Sequence, residues 1–281
     1  MSTSKSNPQI IPCRVHIILA RKAPMAIAIR RGPSKRVCTV GWDRTKDTFQ
    51  VGQWIKGRIY ERRCDLSPNG RHFIYFAMNG KWKTQVKGSW SAISMAPYLK
   101  AVGLWANGSG WNGGGLFTSD KQYWLNAFPF GHEELRTPRG LEQDAFPFHE
   151  RYGGECPGVY YVRLQRDGWR LMRHEKQGAD HPTIFEKQVA MQWILEKTAH
   201  ETSSHALGRG CYFDTHRLKK IDGSVVLDLP EWEWADVDGT RLVWVAGGVL
   251  YEGRLVREGL TNTKMLFDFN SLTFEEIKAP Y

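Results

Sequence analysis

The sequence contains no run of about 18 uncharged apolar residues, so it predicts no membrane-spanning helix. Its nearest approach to a signal peptide is the stretch from Ile10 to Ala20. Arg14 and His16 interrupt that stretch, and no convincing small-residue cleavage site follows it, so we read it as a strand. We therefore expect a soluble, cytoplasmic protein with no membrane partner.

Paired cysteine motifs are also missing. The five cysteines are Cys13, Cys38, Cys64, Cys156 and Cys211, and no two of them form a CxxC pair. An odd number of cysteines at wide spacing fits neither a disulfide framework nor a zinc site. We expect reduced, mostly structural thiols, in keeping with a cytoplasmic location, and predict neither a metal nor a cofactor.

Strong catalytic motifs are absent as well. There is no GxSxG sequence, and no Cys/His arrangement is recognisable from spacing. The stretch from Gly108 to Gly113 matches GxGxxG, but the following glycines suit a flexible hairpin loop better than the helix of a dinucleotide site. His200 and His205 are five residues apart, about 140° around a helix, which excludes a zincin pair. No catalytic residue is assigned.

Positive charge is concentrated in the first part of the chain. Residues 1 to 100 contain 19 Lys and Arg against 4 Asp and Glu, whereas the remaining 181 residues contain 20 against 25. The net charge of +10 is therefore an imbalance of +15 against −5. Clustered charge attracts acidic partners, but the acidic remainder of the chain is an equally good counterpart, and both alternatives stay open.

Turn dipeptides separate short apolar and aromatic runs along the chain. The five are Asn69-Gly70, Asn79-Gly80, Asp167-Gly168, Asp222-Gly223 and Asp238-Gly239. Asn-Gly and Asp-Gly suit the positive φ angles of tight hairpins, so the pattern indicates antiparallel β-structure. Residues 1–9 are polar and predicted to be a flexible tail, and without a long linker residues 10–281 are predicted to form a single domain and a monomer.

Two distant segments echo each other. Residues 67–77 align without gaps on residues 236–246, with the turn, a basic residue and the apolar classes largely matched. The offset of 169 residues divides into four periods of about 42, within the length of a propeller blade. At these segments the chain resembles the blade hairpin of WD-repeat and Tol-type β-propellers. The resemblance implies a binding role. With the chain length and the four-period offset, we predict an all-β, propeller-like fold of about five irregular four-stranded blades.

One segment departs from this pattern. Thr183 to Glu186 has the spacing of a capping box, and Phe185, Val189 and Trp193 recur every four residues. A short helix is therefore predicted near residues 184–198, although the same window is also compatible with a strand.

A basic aromatic stripe supplies the candidate partner-binding site. If residues 54 to 63 form one strand, alternate side chains present a cationic, aromatic face, to which we add the adjacent Arg63. The candidate residues are Trp54, Lys56, Arg58, Tyr60, Arg62 and Arg63. Such a face suits acidic protein surfaces or nucleic acid. The structural alternative is an edge strand whose charges prevent pairing with another chain.

A duplicated constellation offers a second candidate. Ala-Phe-Pro-Phe occurs at residues 127–130 and 145–148, followed by His132 and Glu133 in the first copy and by His149 and Glu150 in the second. Paired histidines and carboxylates suit a metal or glycosidic acid–base chemistry, and the alternative is two hydrophobic loops with solvated polar ends.

The sequence is interpreted as a non-catalytic binding protein that presents its basic surface to an acidic protein, in an inhibitor or immunity-type role. Two alternatives remain. One is a propeller-fold carbohydrate hydrolase using Asp43, Glu133 or Glu150. The other is direct nucleic-acid binding.

Overall fold

A computed structural model describes residues 11–129, 131–174, 182–190, 192–202 and 210–281. The predicted flexible tail, residues 1–9, lies outside these ranges, as does His205. Within them, no helix is long and apolar enough to cross a membrane.

The described chain is built almost entirely of strands. The first twelve are β1 (Arg14–Leu19), β2 (Met25–Arg31), β3 (Arg36–Asp43), β4 (Thr48–Lys56), β5 (Arg58–Ile59), β6 (Asp65–Leu66), β7 (His72–Met78), β8 (Ser89–Met95), β9 (Ala101–Ala106), β10 (Gly115–Phe117), β11 (Gln122–Leu125) and β12 (Glu133–Arg136). After β13 (Glu142–Gln143) and helix α1 (Cys156–Arg166) come β14 (Arg170–Arg173), β15 (Thr183–Ala190), β16 (Trp193–Glu201), β17 (Tyr212–Lys220), β18 (Val226–Leu229), β19 (Trp232–Asp238), β20 (Arg241–Ala246), β21 (Val249–Val256) and β22 (Gly259–Asp268).

These strands form five sheets, and four of them are mainly meanders of consecutive antiparallel neighbours. The first sheet is β1-β2-β3-β4, the fourth β14-β15-β16-β17-β18 and the fifth β19-β20-β21-β22. The second runs β12-β9-β8-β7-β5 with β6 also on β7, and the third is β10-β11-β13. The predicted all-β fold with about five irregular blades is confirmed, with four strands in only the first and fifth sheets.

The sheets close into a ring, which makes the fold propeller-like. The first sheet contacts the second through β1 and β6, and the second contacts the third through β6 and β10. Helix α1 packs on both β10 and β14 and so bridges the third and fourth sheets. The fourth contacts the fifth through β17 and β19, and β19 returns to β1.

The hydrophobic core lies between neighbouring sheets rather than in one central mass. One cluster joins the first and fifth sheets around Trp42 and Trp234, and another joins the first and second around Ile29 and Phe73. The first sheet contributes to both clusters and so buries both of its faces, which explains the near-continuous apolar runs of β2 and β3.

The two echoing segments occupy equivalent positions. β7 follows β6 through the turn at Asn69-Gly70, and β20 follows β19 through the turn at Asp238-Gly239. Gly70 and Gly239 have positive φ values of 74° and 61°, as the turn dipeptides predict. Gly168 instead follows the last turn of α1, so Asp167-Gly168 ends a helix and not a hairpin.

The predicted helix near residues 184–198 is wrong, because the segment is the β15–β16 hairpin. Trp193, Leu195 and Ala199 alternate inward with period two, which is the periodicity of a strand. The single α-helix among the described residues lies at Cys156–Arg166 instead.

All five cysteines are free, and Cys13, Cys38, Cys64 and Cys156 are buried. Burial raises the pKa of Cys13 to about 11 and that of Cys38 to about 12, so these thiols stay protonated near neutral pH. Their burial is the placement that the sequence predicts for structural thiols.

Candidate functional site

The predicted stripe does not lie on one strand. β4 ends at Lys56, and β5 begins at Arg58 in a different sheet. Between them Gly57 has a φ of 152°, and a Cβ there would lie 2.5 Å from the carbonyl oxygen of Met78. Such a close approach of two backbones leaves room only for glycine. The chain leaves the first sheet and enters the second at Gly57, so the period-two alternation of side chains ends there.

The six candidate residues consequently divide into three groups by burial. Lys56 is exposed, and Trp54, Arg58 and Tyr60 are half-buried. Arg62 and Arg63 are only 3% and 1% exposed, since they belong to a short 3₁₀ turn that packs against helix α1. The expectation that both arginines face outward is wrong.

Both buried arginines are held by the protein's own carboxylates. Arg62 Nη2 lies 2.6 Å from Asp214 Oδ1, and Arg63 Nη2 lies 2.8 Å from Glu155 Oε2. Arg14 pairs in the same way with Glu233, at 2.6 Å. Part of the positive charge of the first hundred residues is therefore neutralised by the acidic remainder, which was one of the two alternatives left open by the sequence.

Asp214 is the anchor of a buried charge cluster at the centre of the ring. Besides Arg62, it accepts a hydrogen bond of 2.6 Å from the hydroxyl of Tyr160, and Lys197 Nζ lies 3.9 Å away. Burial alone would raise the pKa of Asp214, but Arg62 and Lys197 outweigh it and hold the pKa below its usual range. The carboxylate is therefore ionised and links α1, the 3₁₀ turn and the fourth sheet.

Two histidines beside this cluster are neutral. Burial, reinforced by Lys197, lowers the pKa of His216 to about 3, and its Nδ1–H donates to the carbonyl of Trp232 at 2.9 Å. Burial and the guanidinium of Arg163 lower the pKa of His16, whose Nε2 accepts from Arg163 Nη2 at 2.8 Å. With Nε2 as acceptor, the His16 proton is on Nδ1.

A cavity of about 450 Å³ adjoins these groups. Its walls come from β1, α1, β15, β16 and β19 and from the segments that follow β1, β3 and α1. Six cationic side chains line it: Arg21, Arg44, Arg163, Arg166, Lys187 and Lys197. Asp167 and Asp236 are the two carboxylates among the lining residues, and Trp169 forms an aromatic wall.

The sequence carried a signal for this cavity that was missed. Trp193, Leu195, Lys197 and Ala199 alternate along β16, so a lysine occupies an inward position in an otherwise apolar row. Lys197 is 1% exposed, and its ammonium lies 4.6 Å from the centre of the Trp169 ring. A buried lysine is rarely found without a partner, so its position marks a polar centre.

A different set of aromatic and cationic side chains remains at the surface. We call it the cation–aromatic face, and it consists of Lys56, Arg58, Tyr60, Lys81, Trp82, Lys83 and Trp111. Trp82 is 53% exposed and Trp111 is 62% exposed, which is unusual for tryptophan. Lys56, Arg58, Lys81 and Lys83 form no ion pair with the described residues.

Backbone contacts bring the three segments of this face together. Arg58 on β5 pairs with Met78, directly before the loop that carries Lys81 and Trp82. The loop from Asn107 to Gly110 lies against the end of the Lys81–Trp82 loop. The evidence is at Gly108, where an added Cβ would lie 3.4 Å from Lys87 Cβ. The Arg58 guanidinium stacks on Tyr60, 4.4 Å from the ring centre.

The duplicated Phe-Pro loops meet at an apolar pocket of about 730 Å³. Phe128 and Pro129 from the first loop and Phe146 from the second line it, whereas Phe130 lies outside the described residues. The histidines and glutamates that follow do not line it. Among the residues that the structure describes, no group of three or more His, Cys, Asp or Glu is arranged to hold a metal.

The carboxylates suggested for a hydrolase each have a local partner. Asp43 accepts the backbone N–H of Thr45 at 2.9 Å, and Glu133 pairs with Lys87 at 2.6 Å. Glu150 accepts from the hydroxyl of Tyr152. None of the three carboxylates lines the central cavity, so the residues proposed for the enzymatic alternative are not assembled there.

Comparisons with known proteins give distant likenesses. No family model matches the sequence, and no curated protein matches it. An uncharacterized protein from Listeria monocytogenes EGD-e is similar at a TM-score of 0.32 and 8% identity, over 94% of this chain and 69% of that one. The GH43 protein BlXynB from Bacillus licheniformis is similar at 0.32 and 11%, over 98% and 60%.

A point mutant of the same Bacillus protein gives a TM-score of 0.35 at 12% identity, over 89% of this chain and 51% of that one. This chain thus spans about half to three fifths of the length of the Bacillus chains it resembles. At these scores the likenesses transfer no activity.

Proposed function

We propose that this protein is a non-catalytic binding protein whose cation–aromatic face receives an acidic protein surface. The observation that supports the proposal is the exposure of Trp82, which lies between Lys81 and Lys83 in the sequence. Tryptophan, tyrosine and arginine are the side chains that most often anchor protein interfaces, and this face contains all three.

The electrostatics favour an acidic partner. Lys87 is neutralised by Glu133, but Lys56, Arg58, Lys81 and Lys83 retain their charge. An opposing carboxylate surface would gain complementary contacts at the rim and speed encounter. A cytoplasmic location for this interaction is part of the proposal.

The same charges argue for protein over nucleic acid. The basicity of the first hundred residues was the main reason to consider a polyanion, and Arg14, Arg62 and Arg63 are paired internally. Proteins that grip duplex nucleic acid typically neutralise about 6–10 phosphates. The four cations on this face, Lys56, Arg58, Lys81 and Lys83, fall short of that number.

Affinity capture with two variants of equal charge change tests the proposal. Lys81→Glu with Lys83→Glu reverses the face, and Arg254→Glu with Arg257→Glu reverses two exposed cations of the fifth sheet as a matched control. We expect acidic proteins to be captured by the wild type and the control, to be lost with the face variant, and to persist after nuclease treatment.

Two results would contradict the proposal. One is the same set of captured proteins with both variants. The other is loss of all capture on nuclease treatment, which would favour the nucleic-acid alternative.

A further inference from the structure

The central cavity has more positive charge on its walls than the surrounding carboxylates balance. Arg166 contacts Asp65 at 2.6 Å and Asp167 at 2.8 Å, and Lys187 contacts Asp236 at 2.8 Å. Arg44 pairs with Asp238. Each of these three cations is therefore paired with a carboxylate.

The other three lining cations, Arg21, Arg163 and Lys197, have no carboxylate of their own. Arg163 is 3% exposed, and its guanidinium donates to the carbonyl oxygens of Glu61 and Cys64 and to His16, without an ion pair to any described carboxylate. Arg21 donates to the carbonyl of Phe117 and forms no ion pair with the described residues either.

Lys197 is only weakly balanced. Its nearest carboxylate is Asp214 at 3.9 Å, and Arg62 already holds that group at 2.6 Å. Burying a charge without a counter-charge is costly, and the cost falls when an anion enters the adjoining space. The wall therefore carries two to three cationic charges for which the protein supplies no dedicated carboxylate.

We propose that the central cavity binds a small molecule carrying a doubly charged oxyanion, either a phosphate monoester or a dicarboxylate. The volume of about 450 Å³ lies within the range of small-ligand pockets. Guanidinium groups match both phosphate and carboxylate oxygens through paired N–H donors. Trp169 provides an apolar wall for the rest of the molecule.

The cavity reaches solvent on the side of Arg21 and Gly168, which are the exposed residues of its wall. Arg21 is therefore placed to meet an incoming anion, while Lys197 and Arg163 lie deeper. This site is separate from the cation–aromatic face, because none of that face's residues line the cavity.

Calorimetric titration and thermal unfolding of the full chain test the site. The probes are inorganic phosphate and succinate, with sodium chloride at equal ionic strength as the reference. We expect saturable binding and a raised midpoint of thermal unfolding with at least one dianion. Phosphate alone identifies a phosphoryl ligand, and succinate alone identifies a dicarboxylate.

Three variants locate the binding. Arg21→Gln at the mouth and Lys197→Met inside should each weaken the affinity about tenfold, the usual effect of losing a charge-assisted hydrogen bond. Lys22→Gln removes the same charge one residue away, outside the cavity, and should leave the affinity unchanged. If Lys197→Met does not fold, Arg21→Gln against Lys22→Gln decides.

The proposal is overturned if neither dianion stabilises the protein beyond chloride. It is also overturned if Arg21→Gln binds as tightly as Lys22→Gln. Reversing Lys81 and Lys83 should not change dianion affinity, so this test is independent of the proposed partner.

Discussion

Replacing Asp214 with asparagine removes one negative charge from the buried centre and leaves the side-chain shape nearly unchanged. Arg62 and Lys197, which are 3% and 1% exposed, would then share no ionised carboxylate at this position. Breaking a buried pair by removing one partner typically costs about 3–5 kcal/mol, because the other charge stays buried. We expect a loss of that size in the free energy of unfolding.

The loss is large enough to measure in two ways. For a chain of this length the unfolding entropy is about 0.6 kcal/mol/K, so the midpoint of thermal unfolding should fall by about 5–8 °C. Urea unfolding followed by tryptophan fluorescence should give the free energy directly. Because Asp214 has a lowered pKa, its stabilising contribution is full above the ordinary carboxyl pKa and is lost as the pH falls below it.

Asp228 provides the matched control. Its carboxylate pairs with Arg217 at 2.6 Å, but the two side chains are 68% and 55% exposed. Asp228→Asn should therefore cost less than about 1 kcal/mol. If Asp214→Asn is as stable as Asp228→Asn, the Asp214 carboxylate does not anchor the buried cluster.

Three further predictions follow from the core and the face. His216 stays neutral in the folded protein, with a pKa of about 3. Because the unfolded chain takes up the proton first, the free energy of unfolding should fall as the pH drops below about 6.5. His216→Asn should reduce the pH dependence of the urea midpoint between pH 6.5 and 4, and an unchanged slope would refute this assignment. Gly114→Ala would place a Cβ 1.8 Å from the carbonyl oxygen of Arg63, whereas at Gly140 nothing lies within 4 Å of the added Cβ. Gly114→Ala should therefore unfold at a lower urea concentration than Gly140→Ala, and equal midpoints would contradict the close approach. Trp82→Ala should weaken capture of the acidic partner with little change in stability, and retained capture would remove Trp82 as an anchor.

Local signals in the sequence predicted much of the fold. The hairpins at Asn69-Gly70 and Asp238-Gly239 need only turn chemistry and period-two alternation, which are visible within about ten residues. Helix α1 was not predicted, because Val159, Tyr160 and Tyr161 are typical of strands and Gly158 weakens a helix. Tertiary packing overrides those preferences, since the helix fills the gap between the third and fourth sheets.

The candidate sites depend on contacts between residues that are distant in sequence, which local patterns do not predict. Arg62 was assigned to a surface because alternation placed it beside Arg58, but Gly57 breaks the strand between Lys56 and Arg58. Its partner Asp214 is 152 residues away in the chain, a pairing that spacing cannot reveal. The positive charge of the first hundred residues was readable from the sequence, whereas its internal neutralisation required the structure.

Direct binding to an acidic polypeptide tests the central claim that the cation–aromatic face receives acidic protein. Fluorescence anisotropy of labelled poly-L-glutamate should show binding to the wild type that weakens at least tenfold with Lys81→Glu and Lys83→Glu and is retained with Arg254→Glu and Arg257→Glu. Equal affinity of the two charge-reversed proteins, or no binding by the wild type at low salt, would contradict it.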